Sequence, residues 1–172
     1  MKRILYTIGL LWACAMTQAQ TLLPPVWQGS ADVQYSSRTI AYLPPTRIVW
    51  QETTGSSSIE GIDKLLLPGN GQAELVGGKE CVIRKRPDGK VSFLLDFGRE
   101  LQGGIQIVTG QSSRKEAKVR IRFGESVSEA MCDITPENGA TNDHAIRDFH
   151  FTLPWLGVAE IGNSGFRFVR ID

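Results

Sequence analysis

Short runs of β-branched and aromatic residues alternate with glycine, proline, asparagine and serine along most of this chain. No segment after residue 20 keeps apolar residues at helical spacing for three turns, whereas period-two alternation recurs. The pattern therefore predicts an all-β fold, an antiparallel β-sandwich of jelly-roll-like form. We expect strands at residues 47–51, 62–67, 80–86, 91–97, 104–109, 118–123, 145–153 and 166–171.

Two local patterns make this expectation specific. Pro87-Asp88-Gly89 suits a tight turn, because proline presets the first torsion and glycine accepts positive φ, and it predicts a hairpin between the flanking runs. Residues 118–123 alternate, with Val119, Ile121 and Phe123 on one face and three cations on the other. That alternation predicts a strand with one buried and one solvated face, rather than a basic binding patch.

The N-terminus has the pattern of an export signal: two cations, an uncharged and mostly apolar run of residues 4–16, and small residues ending at Ala19. We expect a signal peptide at residues 1–19 and a periplasmic or extracellular protein. An alternative is lipidation at Cys14, although Trp12 is bulky for a lipoprotein processing site. The apolar run is shorter than the roughly 20 residues that span a bilayer, so we expect no membrane span.

We expect an irregular extension with one or two strands at residues 20–75 and the sandwich at residues 76–172. The apolar run at residues 166–171 leads directly into Asp172, and natural domains rarely finish inside a strand. The sequence therefore predicts a sandwich that is incomplete at its C-terminus, as a fragment of a longer protein.

Net charge and cysteine content limit which binding partners and which covalent or metal links the sequence supports. Loss of Lys2 and Arg3 with the signal leaves 17 basic and 18 acidic residues, a balance that does not favour nucleic acid as a partner. Cys81 and Cys132 either form a disulfide with each other, which an exported location permits, or are separate cysteines buried as small apolar residues. No pattern of histidine and cysteine at ligand spacing is present, so we expect no transition-metal site.

Several glycine-marked pieces occur in a recognisable order. They are Asp96-Phe97-Gly98, Gly103-Gly104 before an apolar run, Phe123-Gly124-Glu125, residues 141–143, and Gly165-Phe166-Arg167-Phe168-Val169. This order resembles the concanavalin-like β-sandwich accessory region that precedes the helical catalytic barrel of bacterial α-L-rhamnosidases. The resemblance covers residues 91–172 best. It departs from the family pattern at Phe168, where tyrosine is usual, and at Asn163-Ser164, where an aromatic residue and a histidine are frequent.

The resemblance implies the N-terminal part of a secreted glycoside hydrolase that acts on rhamnose-containing glycans. It also implies that the acid and base lie on the later barrel, the partner of this region, so we expect this chain alone to be inactive and to contain no catalytic residue. The alternative is a stand-alone secreted carbohydrate-binding or adhesion sandwich.

Sugar-contacting candidates follow from side-chain chemistry. An aromatic ring that stacks on a pyranose and polar groups that bind its hydroxyls are the usual requirement, and Trp155, Asn163 and His150 form the best partial set. The strongest in-chain set of acids lies in the same stretch, namely Asp143, Asp148 and Glu160 with His144.

Three further expectations concern buried groups and ions. Gly98, Gly103 and Gly104 suit positive φ at a bulge or tight turn, and Phe97, Phe123, Phe166 and Phe168 suit a sandwich core. Arg167 and Glu125 either pair or are solvated, and we favour the solvated arrangement. We expect no cofactor, although the oxygen-rich loop of residues 133–143 leaves calcium as an option.

Overall fold

The computed structural model describes residues 40–73, 75, 80–111, 117–133 and 147–172. It confirms the all-β, antiparallel, sandwich-like fold, and the described part of the chain contains one five-residue α-helix. The strands are β1 Arg47–Thr53, β2 Ser58–Glu60, β3 Val82–Arg84, β4 Val91–Thr109, β5 Ala117–Gly124, β6 Arg147–Leu153 and β7 Gly157–Ile171. A 3₁₀-helix covers Ile62–Leu66, and α1 covers Val127–Met131.

Five strands form one antiparallel sheet in the order β1-β4-β7-β5-β6, and β2 pairs with β3 in a separate two-stranded ribbon. The two expected strands at residues 91–97 and 104–109 are one long strand, β4. It pairs with β7 along almost the whole length of both strands. Strands β1 and β2 lie within the expected N-terminal extension, and β1 is hydrogen-bonded to β4.

The β4–β7 pair bends where its register shifts, between Asp96 and Leu101 and again between Gly103 and Ile105. Gly98 has a φ of 78°, as its place at a bulge predicts, and its N–H donates to Asp96 Oδ1 over 2.7 Å. Gly104 lies against the opposite strand: a Cβ there would stand 2.3 Å from the carbonyl oxygen of Gly162. The bend therefore depends on glycine for both torsion and close backbone approach.

One core lies between the two halves of this bent structure. Ile121 and Phe123 of β5 and Val169 of β7 share a buried cluster with Ala159 and Ile161 from the outer half of β7. Residues beyond the bend and residues of β5 enter the same cluster. The β4–β7 pairing beyond the bend, residues 105–109 with 157–161, is therefore the second layer of the sandwich-like fold and is called the outer ribbon below.

Aromatic rings fill the centre of this core. Phe123 and Phe166 meet edge to face with ring centroids 4.9 Å apart, and Phe166 contacts Phe97 in the same way at 5.4 Å. Phe123, Phe166 and Phe168 are buried and Phe97 packs against the cluster at partial exposure, which confirms their expected place in the core.

A second, smaller cluster lies on the other face of the five-stranded sheet. It contains Leu94, Ala130 and Phe168, with Trp50 and Met131 packed against it. Helix α1 supplies two of these residues.

Helix α1 begins at a capping box. Ser126 Oγ accepts the N–H of Glu129, while the Glu129 carboxylate accepts the N–H of Ser126. Gly124 allows the helix to approach the sheet, because a Cβ there would lie 2.6 Å from the nitrogen of Ala130. The strand-based interpretation of the sequence missed this helix.

Two expected elements are wrong. Residues 62–67, expected as a strand, contain the 3₁₀-helix, which follows Gly61 in the left-handed region at a φ of 64° and closes a local bond from Lys64 N to Gly61 O. The Pro87-Asp88-Gly89 turn does form, with Gly89 N donating to Arg86 O over 3.1 Å. Its flanking strands do not pair with each other as a hairpin, because β3 pairs with β2 and β4 pairs with β1 and β7.

The turn instead packs against the β1–β2 connection. Asp88 Oδ2 accepts from the N–H and hydroxyl of Ser56, and Thr54 exchanges backbone and side-chain hydrogen bonds with Lys90. These contacts hold the turn against the β1–β2 connection, and because they are long-range the sequence around the turn does not reveal them.

The basic face of residues 118–123 is also different from the expectation. Ile121 and Phe123 are buried in the main core as expected, but Arg122 on the opposite face is only 1% exposed. It is covered because the end of α1 and the last residue, Asp172, lie over that face and accept its hydrogen bonds. The cations of β5 are therefore not a uniformly solvated row.

Cys81 and Cys132 are both free thiols at intermediate exposure. Partial burial raises the pKa of the Cys81 thiol above its ordinary value. The expected signal peptide, with the Cys14 alternative, lies outside the described residues. Neither of the two short helices in the described residues has the length and hydrophobicity of a membrane-spanning segment.

Replacing Gly104 with alanine is expected to lower the free energy of unfolding by about 3 kcal/mol, because the added methyl would overlap two carbonyl oxygens of the paired strand, and a backbone atom cannot rotate away as the end of a side chain can. Urea denaturation measures this loss. Gly69→Ala is the matched control, since the nearest atom to its new Cβ is 3.9 Å away, and its effect should stay within about 0.5 kcal/mol. Equal losses in the two variants would contradict the close packing at Gly104.

Candidate functional site

Four hydrogen-bond donors lie side by side on one face of the β5–β6 pair. The register places Lys118 opposite Thr152 and Arg120 opposite His150. Directly opposed residues of an antiparallel pair share a face, so the four side chains form a two-by-two group, called the donor array below. With Asp172, the donor array borders a surface depression of about 420 Å³.

Arg120 is held in place within the donor array. Its Nε and Nη2 donate to the two carboxylate oxygens of Asp148 over 2.9 and 2.6 Å, a bidentate arrangement, and its Nη1 lies 3.1 Å from Asp133 Oδ1. The hydrogen bonds that Arg120 donates to Asp148, opposed in part by burial, raise the pKa of Arg120 further above its already high value. Arg120 is therefore a fixed cation beside the depression.

Arg122 lies beneath this surface and links three parts of the chain. Its Nη1 donates to the carbonyl oxygen of Cys132 and to Asp133 Oδ1, both over 3.0 Å, and its Nη2 donates to Asp172 Oδ2 over 2.8 Å. The Nε atom of Arg122 is buried and has no hydrogen-bond partner among the described residues. Arg122 therefore connects β5 to the end of α1 and to the end of β7.

Asp172 is bound on both carboxylate oxygens. Oδ2 accepts a hydrogen bond from Arg122 Nη2, and Oδ1 accepts one from Arg170 Nε, each over 2.8 Å. Burial opposes ionisation of Asp172, but hydrogen bonds from Ser92, Arg122 and Arg170 together lower its pKa below the ordinary value. The backbone of Asp172 also exchanges two hydrogen bonds with Arg120, at 2.9 and 3.0 Å.

The charges on this face favour an anion. The described residues of the face include four cations and three carboxylates, namely Lys118, Arg120, Arg122 and Arg170 with Asp133, Asp148 and Asp172. All three carboxylates contact arginine. Lys118 is exposed and has no ion-pair partner among the described residues, so its charge faces the depression and the solvent.

A second polar cluster lies on the outer ribbon. Glu160 Oε1 accepts Tyr42 Oη and Gln106 Nε2, each over 3.1 Å, and Gln106 lies opposite Glu160 in the β4–β7 pair. The hydrogen bond to Glu160 raises the pKa of the Tyr42 hydroxyl. Tyr42 is 56% exposed, and Val108 and Val158, paired two register positions further along on the same face, are 37% and 45% exposed.

The structure does not bring the three expected sugar-contacting residues together. His150 belongs to the donor array on β6. Trp155 is 45% exposed in the turn between β6 and β7, and Asn163 is exposed at the register shift of β7. Trp155 and Asn163 are separated by an extended strand of about 20 Å, at roughly 3.3 Å per residue.

The acids expected to be the best in-chain catalytic set are also separated. Asp148 is held by Arg120, whereas Glu160 lies on the outer ribbon with Tyr42 and Gln106. Asp143 and His144 lie outside the described residues. In the described part of the calcium-loop candidate, Asp133 contacts Arg120 and Arg122, and the rest of that loop lies outside it. The described residues contain no group of three or more acidic, histidine or cysteine side chains arranged to hold a metal ion.

The two sequence motifs that carry the family resemblance contact each other. Asp96 of the first motif is 1% exposed and accepts Arg167 Nε of the second at Oδ1 over 2.9 Å. Arg167 Nη2 and Arg47 Nε donate to the other oxygen, Oδ2. Among the described residues Arg167 does not pair with Glu125, which is exposed. The expectation that Arg167 is solvated holds only in part, because 38% of its side chain is exposed while its guanidinium binds a buried carboxylate 71 residues earlier in the chain.

Comparisons of this chain with protein-family models, with curated proteins and with solved structures found no match in any of the three.

Proposed function

We propose that this chain is the non-catalytic β-sandwich-like accessory part of an exported α-L-rhamnosidase-like glycoside hydrolase that acts on rhamnose-containing glycans. The ion pair between Asp96 and Arg167 carries the proposal, since it joins the Asp-Phe-Gly and Gly-Phe-Arg-Phe motifs on which the resemblance depends. A shared structural role explains why two motifs so far apart in sequence occur in one chain.

The state of the carboxylates supports a scaffold rather than a catalyst. Glycoside hydrolysis by the usual mechanism requires two carboxyl groups about 5 to 9.5 Å apart across the scissile bond. Asp96, Asp148 and Asp172 are each held by arginine side chains. These groups contribute to folding, and in our proposal the catalytic acid and base lie on a helical barrel that follows this region.

The activity test compares the chain alone with the chain extended through the sequence encoded downstream of Asp172. We expect the folded chain to leave p-nitrophenyl α-L-rhamnoside unchanged and the extended protein to release p-nitrophenol. Circular dichroism with a cooperative unfolding transition shows that the shorter chain is folded. Turnover by the chain alone that is lost in Asp148→Asn would overturn the scaffold role, and an inactive extended protein would overturn the rhamnosidase assignment.

A stand-alone secreted carbohydrate-binding or adhesion module is the second candidate. The cluster of Tyr42, Gln106 and Glu160 favours it, because an exposed aromatic ring beside an amide and a carboxylate is a common way to hold a neutral sugar. A stop codon directly after Asp172 would favour this module, and an in-frame helical region would favour the enzyme. Calorimetry with rhamnose, comparing the chain with its Tyr42→Ala variant, measures whether this cluster contributes.

A further inference from the structure

The donor array on β5 and β6 has the chemistry of an anion site. Its four side chains are the ammonium of Lys118, the guanidinium of Arg120, the imidazole of His150 and the hydroxyl of Thr152, and each can donate a hydrogen bond. Directly opposed residues stand about 5 Å apart, and neighbours on the same face of a strand about 7 Å apart. The array is therefore about the size of one sugar ring with its substituents.

Three of these donors have no partner in the described residues. Arg120 is bound to Asp148 and Asp133, whereas the side chains of Lys118, His150 and Thr152 make no hydrogen bond or ion pair there. The depression they border has a volume of about 420 Å³, within the range of small-ligand sites. Unused donors that share a concave surface are available to a ligand.

The neighbouring carboxylates do not cancel this preference. Asp172, on the rim, has both oxygens engaged by Arg122 and Arg170, and Asp148 has both engaged by Arg120. Their charge is neutralised within the sheet, and the uncompensated charge is that of Lys118. An oxyanion in the depression would receive charge-assisted hydrogen bonds without displacing an existing ion pair.

We propose that the donor array binds an oxyanion, and that this oxyanion is the carboxylate of an acidic sugar in the glycan bound by the protein. The sugar assignment rests on the function proposed above, whereas the preference for an oxyanion rests on the contacts of the donor array. Lys118 supplies the positive charge, and Arg120 supplies a guanidinium edge that is fixed in place. His150 and Thr152 supply the hydrogen-bond donors that orient the sugar ring.

The test is calorimetric titration of the folded chain at low ionic strength with D-galacturonate, D-galactose and inorganic phosphate. Galacturonate and galactose have the same ring and differ at one substituent, the carboxylate. We expect galacturonate to bind about tenfold more tightly than galactose, the effect of one charge-assisted hydrogen bond, and to weaken as salt is added. Phosphate should bind more weakly than galacturonate because it lacks the ring.

Lys118→Gln is expected to weaken galacturonate binding about tenfold while leaving the urea midpoint unchanged, since its side chain is exposed. Lys85→Gln is the matched control: it removes an exposed lysine next to β3, away from the donor array, and should leave binding unchanged. His150→Ala and Thr152→Val probe the orienting donors and should each weaken binding to a smaller extent.

The titrations and the activity assay separate the oxyanion site, the sugar assignment and the enzyme assignment. Equal affinity for galactose and galacturonate, or equal loss in the Lys118 and Lys85 variants, would overturn the oxyanion site. Phosphate binding as tightly as galacturonate would overturn the sugar assignment. Rhamnoside turnover by the extended protein without galacturonate binding would overturn this inference alone, and galacturonate binding without turnover would overturn only the enzyme assignment.

Discussion

Replacing Arg122 with alanine is expected to lower the free energy of unfolding by about 4 kcal/mol, because a large-to-small change at a buried position adds a cavity to the lost hydrogen bonds. The change removes three hydrogen bonds at once, to Cys132 O, Asp133 and Asp172. It also leaves a cavity where the buried stem of the arginine packed under α1. Urea denaturation of the folded chain, followed by circular dichroism, measures the loss.

Arg122→Met separates charge from packing. Methionine keeps most of the buried stem and removes the Nε atom, which finds no hydrogen-bond partner in the described part of the chain. Asp133 is largely exposed and Asp172 retains Arg170, so neither carboxylate is left buried and unpaired. We expect a loss of about 1 kcal/mol, because apolar replacements of buried charges are often close to neutral. Methionine and alanine variants that lose the same amount would show that the charge itself, rather than the volume, stabilises this face.

Asp96→Ala is expected to lower the free energy of unfolding by about 3 kcal/mol at pH 7, the lower end for a buried ion pair because both arginine partners are partly solvated. It removes the acceptor for Arg167, for Arg47 and for the N–H of Gly98 at the bend. Asp96→Asn keeps an oxygen for Gly98 and should lose less. Arg47→Ala, which removes the more exposed arginine, is the control and should lose under about 1 kcal/mol.

The loss in Asp96→Asn should depend on pH. The hydrogen bond from Arg167, opposed by burial and aided by Gly98 N–H and Arg47, holds the pKa of Asp96 well below its ordinary value. A lowered carboxyl pKa stabilises the fold above the unfolded-state pKa of about 3.9 and loses that contribution as the pH falls below it. The difference between wild type and Asp96→Asn should therefore be constant from pH 8 to about pH 5 and shrink toward pH 3. A difference that stays constant across this range would contradict the ionised state of Asp96.

The class of fold and most strand positions could be predicted from the sequence, because period-two alternation reports burial directly. The phenylalanines at 123, 166 and 168 are large apolar residues at inward positions, and they lie in the core. The turn at residues 86–89 could also be predicted, since proline and glycine specify the backbone torsions of the turn that contains them. Helix α1 carried a readable signal too, in the Ser126 and Glu129 spacing of its capping box.

Strand partners and buried charges could not be predicted in the same way. The alternation of β5 identifies which residues share a face with Arg122. It does not reveal that the end of α1 and Asp172 cover Arg122 on that face. For Arg167 the sequence left a pair with Glu125 or solvation, and the partner it has in the structure, Asp96, lies 71 residues away. Such contacts depend on the register of long-range pairs, which single-sequence patterns do not contain.

The candidate site shows the same limit. His150 was selected for its chemistry, and the structure places it in the donor array, but Lys118 and Thr152 become neighbours only through the pairing of β5 with β6. Trp155 and Asn163 were grouped with His150 because they are close in sequence, and the extended β7 strand keeps them apart.

Strands β4 and β7 each pass through the bend and contribute to both layers. In a sandwich built from two separate sheets, one sheet can detach while its strands remain paired. Here, detachment of the outer ribbon would pull on the same two strands that form the centre of the inner sheet. We therefore expect the described sheet to melt as one cooperative unit, with no stable half-folded state available to a protease.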